Sequence, residues 1–279
     1  MIPRLVIGDD SAHGVDVAGC PDVEVWRGAG GAVVAYGAIL DGQHWIEVPG
    51  VARFRFGQSS HRVIAQPHPA AGQGLVEDAY LRAVLPLALQ VQGMELLHAS
   101  AVCSPRGVVA FCAESGTGKS TLAAGLGERG YRPWADDALA VDTSSMPVTS
   151  VRLPFRLRLR PASTAFFGGE RFSMVTRVEA PRGNAVERVP VAALCLLRRT
   201  DDVTGPVSAE RLCASAALSA VLAHAYCFSL RDPDRKRSMI RHFVRLATRV
   251  PIFEVRIESR LERLPNVLDG MEQVLLGAA

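Results

Sequence analysis

Nine consecutive residues, Ala113-Glu114-Ser115-Gly116-Thr117-Gly118-Lys119-Ser120-Thr121, carry the clearest chemistry in this sequence. They lie between a short apolar run, Val108–Cys112, and a stretch of helical character from Lys119 to Leu126. A strand, a glycine-rich turn and Gly-Lys-Ser-Thr at the start of a helix form the arrangement that cradles polyphosphate. Successive backbone N–H groups of a curled loop make a concave anion nest. The helix that follows aims its positive end at the same point. Gly116 and Gly118 permit backbone angles and close approach that a Cβ would block. Lys119 is expected to reach the β- and γ-phosphates, and the Ser120 hydroxyl to ligate Mg²⁺. The candidate ATP-binding residues are therefore Ser115, Gly116, Thr117, Gly118, Lys119, Ser120 and Thr121. One position departs from the pattern GxxxxGK[ST], because Ala113 stands where its first glycine belongs.

A phosphate loop alone does not define a reaction. Asp137 follows Ser120 by seventeen residues and is preceded by Asp136. A helix, a turn at Gly130 and a short strand around Tyr131–Trp134 fill the gap, so the pair falls at a strand end beside the loop. Two adjacent carboxylates there can divide the labour, one holding the metal and the other accepting a proton from an incoming hydroxyl. Mg²⁺ needs few protein ligands, so Ser120 with one Asp, here assigned as Asp137, suffices. His98 precedes Lys119 by twenty-one residues within Leu96-Leu97-His98-Ala99-Ser100. On an apolar strand a single histidine is either a packed core residue or, if Asp136 meets it, a base tuned by that carboxylate. His98, Lys119, Asp136 and Asp137 form the candidate catalytic set.

These residues need a scaffold, and the chain supplies two textures. The first seventy residues read as short strands, Val23–Trp26, Ala32–Ile39, His44–Val48, Phe54–Phe56 and Val63–Gln66, with Asp41-Gly42 as a hairpin signal. A helical run from Leu75 to Val91 follows and stops at Gly93. From Met94 onward strands and helices alternate. Strands are expected at Val108–Cys112, Leu139–Val141, Val148–Leu153, Pro190–Leu197 and Ile252–Ile257. Helices are expected from Lys119, from about Ser208 to Tyr226, from Pro233 to Val250 and from Leu261 to Leu276. The division is a β-rich N-terminal domain over 1–74 and an α/β P-loop domain, a mixed sheet flanked by helices, over 75–279.

The run Leu-His-Ala-Ser-Ala-Val, the loop Ser-Gly-Thr-Gly-Lys-Ser-Thr, Arg129-Gly130-Tyr131 and Ala-Asp-Asp together resemble the HPr kinase/phosphorylase superfamily. The resemblance is to the HPr-kinase-like serine kinases of bacterial peptide-modification clusters, including lasso peptide kinases, and it covers residues 94 to 142 in detail. It implies that His98 and one of Asp136 and Asp137 act as general base, that the other Asp and Ser120 serve the metal, and that Lys119 stabilises the transferred phosphoryl group. Two family features are missing. The stretch Pro-Val-Arg-Pro-Gly-Arg-Asn, with its catalytic arginine, is absent, since Arg188-Val-Pro-Val-Ala does not match it. Ala162 stands where a second metal glutamate would align. Both departures point away from HPr itself as acceptor and from a reversible phosphorylase.

The implied activity is transfer of a phosphoryl group from ATP to the serine of a peptide or small protein. The alternatives are a small-molecule kinase acting on free serine or another metabolite, and a non-catalytic ATP-binding regulator. The cassette-transporter signature Leu-Ser-Gly-Gly-Gln does not occur. A net charge of +3 is too small and dispersed to suggest a nucleic-acid partner. Arg156, Arg158 and Arg160 alternate, so as a strand they share one face and either screen phosphate charge or guard an edge. The stretch Arg231–Arg237 is a second candidate for the charge-stabilising role. The six cysteines form no CxxC pair. No secretory signal is expected, and the apolar stretch Ala214–Phe228 is too short for the roughly 20 residues that span a bilayer. The expected setting is the cytoplasm, with a homo-oligomer as an open option.

Overall fold

The computed structural model describes residues 2–8, 15–28, 30–168, 175–178, 187–200, 205–226 and 233–276. The chain divides into two compact units, Met1–Gly93 and Met94–Ala279. The helical segment that begins at Gln73 is therefore grouped with the first unit.

In the first unit, Glu24–Arg27, Val33–Leu40, Gln43–Val48, Ala52–Gly57 and Arg62–Pro67 pair in sequence as an antiparallel meander. Leu40 opposes Gln43, so Asp41-Gly42 forms a two-residue hairpin loop. A sixth strand, Arg4–Ile7, joins in parallel to Arg62–Pro67. It was not anticipated, because a four-residue edge strand carries too little pattern to read. Alternation places Phe54, Phe56, Val63 and Ala65 inside. The helical segment runs from Gln73 to Val91 with a π-helical stretch at Tyr80–Val84, and buries Val76, Tyr80, Val84 and Leu87.

In the second unit a mixed sheet is covered on both faces. Its centre is the thirteen-residue strand Arg188–Thr200. That strand pairs in parallel with Gly107–Cys112 on one side and with Ile252–Glu258 on the other. Ala99–Ser104 and Arg132–Ala135 extend the sheet beyond Gly107–Cys112. Every residue of Gly107–Cys112 is buried, as expected for a strand packed on both faces. Val108, Ala110 and Cys112 pack on a layer containing Phe243 and Leu246. Val109 and Phe111 pack on the opposite layer with Leu122, Leu126 and Leu268. The helices are thus sorted by alternation along one strand. Complete burial of Phe111 contributes about 1.5–3 kcal/mol. The buried thiols of Cys112 and Cys195 are pushed up, that of Cys112 to about 12, so both behave as apolar packing groups.

One expected helix is partly overturned. Val207–Arg211 is a strand, antiparallel to Ile252–Glu258, and the helix spans only Ala214–Leu222. Ser208 therefore pairs with Arg256 instead of opening a helix. Val207 and Ala209 pack at a spacing of two against the core, and the edge of Ile252–Glu258 offers ladder bonds that local propensity cannot foresee. The helix Pro233–Arg249 forms as expected, with Met239, Phe243, Leu246 and Ala247 on its buried stripe. Of the stretch Arg231–Arg237, residues 231 and 232 lie outside the described residues. No helix among the described residues is long and apolar enough to cross a membrane.

The strand Glu95–Leu97 begins with a carboxylate that is 1% exposed. Arg235 donates to both of its oxygens at 2.7 Å, and His242 Nδ1 lies 2.7 Å from Oε1. This cluster pins the helix Pro233–Arg249 to the strand that leads into His98. Removing the arginine leaves the buried carboxylate with His242 as its one remaining partner in this cluster. Arg235→Ala should therefore lower the free energy of unfolding by about 3–5 kcal/mol, read from chemical denaturation. A loss below about 1 kcal/mol would show that the pair contributes no more than a surface ion pair.

Candidate active site

The phosphate-type loop leaves the sheet at Cys112 and enters the helix Lys119–Glu128. Ala113 at its start is buried, and its carbonyl accepts a hydrogen bond from Lys119 Nζ at 2.8 Å. The Glu114 carbonyl lies 3.4 Å from the same nitrogen. Lys119 thus folds back over the loop and is only 7% exposed. Burial lowers its pKa, while Asp137 and Asp136 oppose the shift. Gly116 and Gly118 adopt φ of 92° and 106°, the left-handed region that glycine enters without cost. The close approach is real as well. A Cβ on Gly116 would lie 2.8 Å from Arg160 Nη2, and one on Gly118 would lie 2.9 Å from Arg199 Nη2.

The two aspartates occupy different environments. Asp136 is 6% exposed. Its Oδ1 accepts from Ser120 Oγ at 2.7 Å and from Ser100 Oγ at 2.6 Å, and its Oδ2 accepts from the Arg158 backbone N–H at 3.1 Å. Burial raises its pKa, and those three donors pull the other way. Asp137 turns out to solvent and the cleft, with its Oδ1 3.3 Å from His98 Nδ1. Its backbone has φ of 69°, unusual for a residue with a side chain. Aspartate tolerates this region better than most residues. The Tyr226 hydroxyl, which donates to the Asp137 carbonyl at 3.0 Å, braces the turn. Opposite orientation of neighbouring carboxylates follows, one inward to the serines and one outward to the histidine.

His98 does not sit within a strand. It bridges Glu95–Leu97 and Ala99–Ser104, and its N–H donates to the His224 carbonyl at 2.7 Å. The Tyr226 ring meets it edge-on at 6.2 Å. The histidine is half-buried, and its partner is Asp137 instead of the Asp136 considered from the sequence. Burial lowers its pKa first, and Lys119 lowers it further, against the opposing pull of Asp137. The imidazole is therefore neutral near pH 7. With Nδ1 turned to a carboxylate, Nε2 is the nitrogen able to take up a proton.

The loop, His98, Ser100 and Asp137 line one cleft of about 340 Å³, together with Arg158, Arg160, Ser163 and Arg199. Thr121 Oγ1 and Ser163 Oγ lie 2.8 Å apart across it. Every candidate site residue lines this cleft except Thr117, whose N–H bonds the Glu114 carbonyl within the loop, and Asp136, which sits behind Ser120. Ser100, Ser163, Arg199, His224 and Tyr226 were not singled out from the sequence. Ser100 alone had a signal, since it is two residues from His98 and strand alternation puts both on one face. Among the described residues no group of three or more His, Cys, Asp and Glu side chains could hold a metal ion. The hard oxygens of Ser120 and Asp136 nonetheless suit Mg²⁺, which keeps several waters and uses one or two protein ligands.

His98 should titrate below 6.5 in an imidazole NMR titration, and Asp137→Asn should lower its pKa further, because the carboxylate is the group holding it up. A His98 pKa at or above 6.5, or one that rises in the variant, would contradict this geometry.

No protein-family model matches this sequence, and no curated protein matches it. Among solved structures, the chain is similar to the Hpr(Ser) kinase/phosphatase of Coxiella burnetii. The identity is 12%, the TM-score 0.33, and the match covers 64% of this chain and 87% of that one.

Proposed function

We propose that this chain is an ATP- and Mg²⁺-dependent kinase that transfers the γ-phosphoryl group to a serine hydroxyl of a peptide or small protein. The acceptor class suggested by the sequence resemblance is a ribosomally made lasso-type precursor peptide. The observation that carries the reading is that Ser120, whose hydroxyl donates to the buried Asp136 at 2.7 Å, lines the same cleft as the His98–Asp137 pair at 3.3 Å. A nucleotide sensor needs the first pair and has no use for the second.

Phosphoryl transfer depends on positioning and charge neutralisation more than on covalent chemistry. In this reading Ser120 and Asp136 hold Mg²⁺, which when bound neutralises phosphate charge. The geometry supports exchanging the metal role assigned from the sequence, since Asp137 faces His98 and not Ser120. Lys119 leaves the carbonyls of Ala113 and Glu114 to meet the phosphates. His98 Nε2 takes the proton of the acceptor hydroxyl as its oxygen bonds to the γ-phosphorus and the bond to the β,γ-bridging oxygen breaks. The products are the phosphoserine and ADP, and Asp137 stabilises the imidazolium that forms.

A second reading is a small-molecule kinase, favoured by a cleft of about 340 Å³, within the size range of small-ligand sites. Incubation with γ-labelled ATP and panels of serine peptides and hydroxylated metabolites, followed by mass spectrometry, separates the two. Lys119→Ala should abolish transfer with the fold intact, and Asp136→Asn should abolish transfer while also loosening the elements that this carboxylate joins. His98→Ala should lower kcat by about 10²–10⁴-fold with little change in ADP affinity. Steady ATP hydrolysis without phosphate on any acceptor would overturn the kinase reading. Full specific activity in a destabilised His98→Ala would return that histidine to a packing role.

A further inference from the structure

The cleft holds guanidinium groups from two elements besides the loop and its helix. Arg160 caps the start of the short helix Pro161–Phe166, and Arg199 is the penultimate residue of the central strand Arg188–Thr200. Each tip sits on a different glycine of the loop, Arg160 Nη2 at 2.8 Å from the Cβ position of Gly116 and Arg199 Nη2 at 2.9 Å from that of Gly118. Both line the same cleft as Lys119 and Ser120. Among the described residues neither guanidinium meets a carboxylate. Two other arginines of the strand Arg188–Thr200 do meet carboxylates, Arg188 with Asp142 and Arg198 with Glu254. Two cations held over the loop, with no carboxylate partner among the described residues, are in place for an anion to complete.

We propose that Arg160 and Arg199 form a two-sided clamp on the bound polyphosphate, one over each glycine of the loop. The idea rests on the phosphate-binding part of the proposed function and adds named residues to it. A planar fork of donors suits two phosphate oxygens at once, which a lysine cannot match. The glycines gain a second purpose here, because any side chain at 116 or 118 would occupy the space of a clamp tip. Arg199 also borders a narrow groove lined by Leu122, Ile257, Leu261 and Leu264, so it stands at the edge of the phosphate cleft, whereas Arg160 stands beside Ala162 and Ser163.

The test uses inorganic tripolyphosphate and ADP as calorimetric probes of the full-length protein, with transfer assayed in parallel. Arg160→Ala and Arg199→Ala should each weaken tripolyphosphate binding at least tenfold, and the double variant should bind none. Folding is verified by thermal melting. Added guanidinium should restore part of the transfer activity to each single variant, a rescue that lost packing would not show. The Arg→Lys variants should fall between wild type and Ala. Wild-type affinity within twofold in both Ala variants would overturn the clamp, and so would a wild type that binds neither probe. A wild type that binds tripolyphosphate through both arginines yet phosphorylates no acceptor would uphold the clamp and remove the kinase reading.

Discussion

The Asp136 carboxylate is shut away from water, and three elements converge on it. Ser100 comes from the strand Ala99–Ser104, Ser120 from the first turn of the helix Lys119–Glu128, and the Arg158 N–H from the strand Phe155–Arg158. A buried carboxylate is costly unless its oxygens are occupied, so these three donors hold their elements in one arrangement. That arrangement sets where the loop opens, and it places the residue after Asp136 on the far side of the backbone. Asp137 faces outward because Asp136 faces inward. Asp137 itself takes the left-handed backbone conformation, and Tyr226 braces its carbonyl.

The electrostatics of the cleft follow from the same constraint. Lys119 is drawn down onto the Ala113 and Glu114 carbonyls, and its positive charge presses the half-buried His98 toward the neutral form. Arg160 and Arg199 sit over the two glycines of the loop. Positive charge is therefore concentrated at the loop, and the exposed carboxylate is kept beside the histidine. The cationic loop and the His98–Asp137 pair thus occupy different parts of a single cleft.

Much of this was legible in the sequence, for reasons that differ by element. The loop and its flanking strand and helix were readable because glycine, lysine and a buried apolar run are local signals. The pairing of Asp136 with Ser120 and of Asp137 with His98 was not. It depends on a backbone turn and on which strand lies alongside, neither of which is written locally. Val207–Arg211 looked like the start of a helix and became a strand because Ile252–Glu258 offered it an edge. Arg199 lay just beyond the expected strand Pro190–Leu197, and it reaches the loop only because the longer strand Arg188–Thr200 lies parallel to Gly107–Cys112. Arg160 was noted for its alternation with Arg156 and Arg158, but its position over Gly116 follows from the turn into Pro161–Phe166.

The central claim is that Asp136 and Ser120, not Asp137, hold the metal of a bound nucleotide. It is tested most directly by a crystal structure grown with a non-hydrolysable ATP analogue and Mn²⁺, with the cation located by its anomalous scattering. The account predicts Mn²⁺ in contact with Ser120 Oγ and next to Asp136, phosphates on the loop under Lys119, and Asp137 still paired with His98. Mn²⁺ bound by Asp137 with the His98 pairing broken, or a cleft that takes up no nucleotide under saturating conditions, would contradict it.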